Sequence, residues 1–100
     1  MFTFEDMALI DVKQMQIVMK DVDQADMVLA LKTASDAVRE LIFGSMSSRA
    51  AEMVRDDLEN LGPAKISDVE AAQQKIIKVV KKLEEDGSIV IAGAGGGDVV

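Results

Sequence analysis

The chain has no cysteine, histidine, tryptophan or tyrosine, and its single proline is Pro63. Without cysteine there is no disulfide, no thiolate zinc site and no sulfur nucleophile. Without histidine, the commonest transition-metal ligand and the usual general base near neutral pH are missing as well. An enzyme is therefore not expected, and neither is a cofactor or a metal. Long apolar runs are also lacking. Met27-Val28-Leu29-Ala30-Leu31 and Ile89-Val90-Ile91-Ala92 fall far short of the roughly 20 residues that span a bilayer. The opening Met1-Phe2-Thr3-Phe4-Glu5-Asp6 has neither a basic n-region nor an apolar h-region. These features predict a cytoplasmic domain without membrane insertion. Positive charge is scarce too: 11 basic against 18 acidic residues leave a formal charge of −7, which repels a phosphate backbone and argues against nucleic acid as a partner.

What remains is aliphatic. Apolar residues make up 49% of the chain and aromatics only 3%, a palette that suits packed helices better than a β-sandwich. One hundred residues support a single hydrophobic core. Residues able to cap a first turn recur ahead of apolar runs at helical spacing. Thr3 precedes Phe4, Met7 and Ala8. Asp11 precedes Met15, Val18, Met19 and Val22, and Asp23 precedes Met27, Val28 and Leu31 over residues 24–32. Ser35 precedes Val38, Leu41 and Ile42. A fifth helix is predicted from Ser47 to about Leu61, stopped by Gly62-Pro63. A sixth opens on Ser67-Asp68-Val69-Glu70, which reads as a capping box, and carries Val69, Ala72, Ile76, Val79 and Leu83 as one stripe until Gly87. Ile89-Val90-Ile91 has strand-like composition but no partner strand, so it is expected to pack as an extended segment. The prediction is an all-α compact bundle of five to six short helices ending in one long amphipathic helix, followed by that segment. The domain spans 1–91, and a disordered Gly-rich tail spans 92–100.

The acidic pairs Asp56-Asp57 and Glu84-Glu85 do not form catalytic dyads, because adjacent helical residues point about 100° apart. Asp21, Asp23 and Asp26 lack the Gly and the distal Glu of an EF-hand loop. Lys75, Lys78 and Lys82 make a basic strip that reads as a solvated face. The seven methionines fall mostly at core positions and read as gap-fillers. The fifth helix is less ordinary. Projected at about 100° per residue, Ala50, Met53, Val54, Leu58 and Leu61 form its buried stripe, with Arg49, Glu52, Asp56 and Glu59 on the opposite flank. Asp57 falls inside the stripe, so it must either sit at the edge or find a cation, for which Lys65 and Arg49 are the candidates. The plainer reading is that Asp57 tethers the loop after its helix.

Several ordered segments together resemble the C-terminal domain family of the flagellar motor switch protein FliG. They are Met1-Phe2-Thr3-Phe4, Leu29-Ala30-Leu31-Lys32, Met46-Ser47-Ser48-Arg49-Ala50-Ala51-Glu52-Met53, Asp56-Asp57-Leu58, Leu61-Gly62-Pro63-Ala64-Lys65-Ile66-Ser67-Asp68-Val69-Glu70, and Asp86-Gly87-Ser88-Ile89-Val90-Ile91. The resemblance covers residues 1–91. It implies a rotor component for torque generation and directional switching, in which Lys32, Arg49, Asp56, Asp57 and Lys65 meet the cytoplasmic loop of a stator subunit, MotA or PomA. It further implies that Met1, Phe2, Thr3 and Phe4 act as a hinge, and that the site lies at the cytoplasmic side of the inner membrane, at the flagellar basal body. Contacts with FliM, FliN and neighbouring FliG copies are expected mainly through the family's other domains, absent from this chain. Lys65 stands where Arg is commoner, and Thr33 where many members have Gly. The alternative reading is a generic helical adaptor that docks a partner helix in an apolar groove.

Overall fold

A computed structural model describes residues 2–91, which form a single all-helical unit. Met1 of the expected hinge and the expected tail 92–100 lie outside the described residues. A 3₁₀ turn over Phe4–Leu9 opens the fold, followed by α1 (Val12–Lys20), α2 (Gln24–Leu31), α3 (Asp36–Gly44), α4 (Ser48–Asn60) and α5 (Ile66–Glu85). Helix α2 is the centre: it packs on α5 and α4, while α1 packs on α3.

The caps explain most of the boundaries. The Asp11 carboxylate accepts from Gln14 N at 2.9 Å, Ser35 Oγ from Val38 N at 3.3 Å, and Ser47 Oγ from Ala50 N at 3.1 Å. Each removes one orphan N–H from a first turn, worth about 1 kcal/mol. Asp23 occupies the N-cap of α2 but its carboxylate makes no capping bond. The opening element is 3₁₀ rather than α, its start tied by Thr3 N–H donating to the Asp6 carboxylate at 2.9 Å. Ala8 is exposed there, and Ile10 is the buried residue instead.

The expected capping box at Ser67 and Glu70 does not form. Helix α5 begins one residue earlier, at Ile66, with Lys65 as an N-cap that makes no side-chain bond. Lys65 itself is extended, at φ −70° and ψ 138°, two residues beyond Pro63, and the helix begins immediately after it. The stop before it behaves as expected, since Gly62 adopts φ 70° beyond the end of α4.

The core is aliphatic, as its composition requires. Met7, Met15, Val18, Leu31, Val38, Ile42 and Val80 are fully buried. In α5 the buried line runs through Val69, Ala72, Ile76, Ile77 and Val80, so it includes Ile77 and Val80, while the expected Val79 and Leu83 are only partly covered. Beyond α5 the chain is extended: Ile89 and Ile91 are buried and Val90 between them is exposed. That alternation is the two-residue period of an extended chain against one surface. Val90 N–H donates to Gln14 Oε1, joining this segment to α1.

Candidate functional site

Helix α4 lies on the bundle by one narrow face. Ala51 and Val54 are buried and Leu58 is partly buried, whereas Arg49, Glu52, Met53, Arg55, Asp56, Asp57 and Glu59 are exposed. On a helical projection Arg49 and Asp56 fall within about 20° of each other, opposite the buried line. They stand two turns apart, separated by about 10 Å along the axis. Met53 was expected inside and is 51% exposed. The buried centre of α4 is displaced toward Ala51 and Leu58, which carries Met53 out between Arg49 and Asp57. On the other flank the Arg55 guanidinium lies 4.5 Å from the centroid of the Phe43 ring.

The same displacement settles Asp57. It sits at the edge of the buried line, exposed, and takes no cation. Its carboxylate accepts from Gln24 Nε2 at 2.8 Å, which links the first residue of α2 to the last turns of α4. Neither Lys65 nor Arg49 is its partner among the described residues, where the ion pair present is Lys75 with Asp26 at 3.8 Å. The strip residues Lys75, Lys78 and Lys82 are all exposed, as expected of a solvated face.

Lys32 is placed differently from the other charges. It is partly buried, and its Nζ donates to the Gly62 carbonyl at 2.7 Å, fastening the end of α2 to the turn after α4. Lys65 follows three residues beyond that carbonyl and is exposed at the N-cap of α5. The structure therefore gathers Arg49, Asp56 and Asp57 on α4. It holds Lys32 against the turn that leads to Lys65.

The residues that position this region carried no sequence signal. Arg39 donates from Nε and Nη2 to the Leu31 carbonyl at 3.1 and 2.8 Å, and from Nη2 to the Lys32 carbonyl at 3.2 Å. A cation on the last carbonyls of α2 completes its C-terminal end. Gln73 Nε2 donates to the Ala30 carbonyl at 3.0 Å and to Thr33 Oγ1 at 2.9 Å. Thr33 needs no left-handed backbone here, since no described non-glycine residue has positive φ. Its hydroxyl supplies an acceptor that glycine would lack. At the chain start, Phe4 is buried, Phe2 packs partly on the core, and the Glu5 carboxylate accepts from Ser35 N at 3.2 Å, so the described part of the hinge segment is seated on the bundle.

The FliG C-terminal domain family matches residues 1–91. The chain belongs to that family. The flagellar motor switch protein FliG of Thermotoga maritima is 50% identical over 100 residues, covering all of this chain and 30% of that protein. The Bacillus subtilis FliG is 45% identical over the same length, again covering all of this chain and 30% of the relative. The chain thus spans about 30% of the length of these relatives. Among solved structures, the crystal structure of Helicobacter pylori FliG residues 116–343 superposes with TM-score 0.87 at 43% identity, covering 89% of this chain and 39% of that one. Full-length FliG from Aquifex aeolicus superposes with TM-score 0.84 at 33% identity, covering 87% of this chain and 27% of that one. The fold of the FliG C-terminal domain is therefore this helical bundle with its extended end.

Proposed function

We propose that this FliG domain is the stator-facing part of a flagellar motor switch, generating torque through the charged face of α4. The observation that carries the reading is the placement of Arg49, Asp56 and Asp57, exposed on one helix whose other side is held by Ala51 and Val54. Their partners are charges on the cytoplasmic loop of a MotA- or PomA-type stator subunit, met from the cytoplasmic side at the basal body. Lys65 extends the face past the Gly62-Pro63 turn. Lys32 serves it by holding that turn, with two ammonium hydrogens left for solvent or partner. Residues 1–91 form the working unit, and the Met1-Phe2-Thr3-Phe4 segment is the hinge on which it reorients when rotation reverses. Contacts with FliM, FliN and other FliG copies belong mainly to the rest of the protein.

A rotor passing a stator needs contacts that form and break quickly. Exposed ion pairs are worth about 0–1 kcal/mol each and are screened within about 8 Å at physiological ionic strength. They guide encounter and orientation without a long residence time. Two features support the assignment on physical grounds. Lys65 is a cation at a helix N-terminus, where the macrodipole opposes it by about 0.3–1 kcal/mol. Met53 is a large apolar side chain left in solvent between charges. Neither placement helps folding, and both suit a docking face.

The test is reversal of the acidic pair, Asp56→Lys with Asp57→Lys, in the full-length switch protein of a strain lacking its own copy. Loss of swimming with normal protein level and intact flagella is expected. Wild-type swimming and stator recruitment would refute the reading.

A further inference from the structure

A cleft of about 430 Å³ lies beside the charged face of α4, lined by Lys32, Arg39, Phe43, Arg55, Leu58 and Glu59. Three cations meet one carboxylate there, on a chain whose net charge is −7. Each cation is already held in place. Lys32 is fixed by the Gly62 carbonyl, Arg39 by the Leu31 and Lys32 carbonyls, and Arg55 by the Phe43 ring. None forms an ion pair among the described residues. Each keeps unspent donors: the Arg39 bonds use Nε and Nη2 and leave Nη1, Lys32 spends one of its three N–H groups on Gly62, and Arg55, its guanidinium 4.5 Å from the Phe43 centroid, keeps its N–H groups. Held cations lose little freedom on binding, so an arriving anion is not charged for ordering them.

The surroundings select the anion. A guanidinium with a free planar edge matches a carboxylate in a two-bond fork, which Arg55 can offer, while Arg39 adds single bonds from Nη1. The Phe43 ring and Leu58 give apolar walls for a short methylene stem. Glu59 within the cleft, and Glu40 and Glu52 in the depression on the far side of Arg55, oppose a doubly charged phosphate more than a singly charged carboxylate. They also direct the approach to the Lys32 and Arg39 side. We propose that this cleft seats a glutamate side chain of an acidic protein segment, with Arg39 and Arg55 as its recognition residues. That the segment belongs to the stator rests on the function proposed above; the site itself does not.

The test is a titration of the ¹⁵N-labelled 100-residue chain with a hexaglutamate peptide, and in parallel with inorganic phosphate. Saturable shifts are expected at the Arg39 and Arg55 side-chain signals and the Phe43 amide, with a weaker response to phosphate. Arg55 is exposed, so Arg55→Gln keeps the fold, and it should weaken hexaglutamate binding about tenfold or more. Lys78→Gln with Lys82→Gln, on the solvated strip, should leave binding unchanged. The proposal is overturned if phosphate binds the cleft as well as the peptide does. It is equally overturned if shifts follow Lys75, Lys78 and Lys82, or if Arg55→Gln has no effect. Cleft binding together with normal swimming of the Asp56 and Asp57 reversal would remove the stator reading alone; the opposite pattern would remove the cleft alone.

Discussion

At the scale of single residues, the charged groups divide by what their side chains touch. Asp57 rests on Gln24, Lys32 on a carbonyl and Arg39 on two, whereas Arg49 and Asp56 point away from the bundle. Arg39 and Lys32 thus hold the end of α2 and the turn after α4, while Asp57 is both exposed on α4 and tied to Gln24. Arg39→Ala removes charge-assisted bonds to the end of α2 and should destabilise the domain by about 1.5–3 kcal/mol in urea unfolding. Arg39→Lys should recover only part of that, since an ammonium cannot reproduce the fork. A loss below about 0.5 kcal/mol for the alanine variant would mean that solvent caps those carbonyls equally well. Met53→Ala makes the converse case. The side chain is half in solvent, so stability should stay within about 0.5 kcal/mol while stator binding weakens. An unfolding midpoint that drops with Met53→Ala would place it back in the core. The sequence pattern misplaced Met53 because the helical period defines a stripe but not its centre. The buried line centres on Ala51, Val54 and Leu58, and the Arg55–Phe43 contact lies on the flank toward which it is displaced, which no pattern in α4 encodes.

At the scale of elements, capping residues at Asp11, Ser35 and Ser47 were legible, because a side chain accepting from the third residue onward is a local event. The start of α5 was not legible in the same way. Ser67 and Glu70 have the right types and spacing, but the first turn begins at Ile66 and leaves both inside the helix or its first turn. The outcome is an N-cap that is poor for folding. Lys65→Asp should therefore raise stability by about 1 kcal/mol, by accepting from the first-turn N–H groups and by reversing an unfavourable charge at the dipole. The same change should impair motility if Lys65 belongs to the docking face. A variant both less stable and fully motile would refute the two halves together. The turn just before it gives a cleaner backbone test. At Gly62 a Cβ would meet no atom within 4 Å, yet φ is 70°, so Gly62→Ala should cost about 1–2 kcal/mol through the left-handed backbone alone. Gly44→Ala, also with open space but at ordinary φ in the last residue of α3, should be neutral or stabilising by up to about 1 kcal/mol. Equal thermal midpoints for the two variants would contradict this assignment of strain.

At the scale of the whole molecule, folding and the proposed docking draw on different forces. The bundle is held by an aliphatic core around Met15, Leu31, Ile42 and Ile76, with a single ion pair among the described residues, and that one half in solvent. The class of the fold was legible for this reason: apolar residues at helical spacing decide it, and no charge had to be placed correctly. The exposed flank of α4 with Arg49, Glu52, Asp56 and Glu59 was legible from helical projection. The role proposed for its charges came only from the resemblance to a family, since exposed charges obey no packing constraint that a pattern could expose. The two forces should also respond oppositely to salt. Between about 0.01 M and 1 M ionic strength the screening length contracts from about 30 Å to about 3 Å. For a chain at net −7 that contraction relieves self-repulsion, so the urea midpoint should hold or rise. The docking proposed for Arg49, Asp56 and Asp57 would lose its long-range attraction over the same range, so affinity for a stator loop should fall, mostly through a slower on-rate. Measuring both in one salt series separates the terms within one preparation. If binding persisted undiminished at high salt, the partner would be gripping apolar surface, as a helical adaptor does. If stability fell with binding, ion pairs would be holding the bundle itself, which a core this aliphatic does not require.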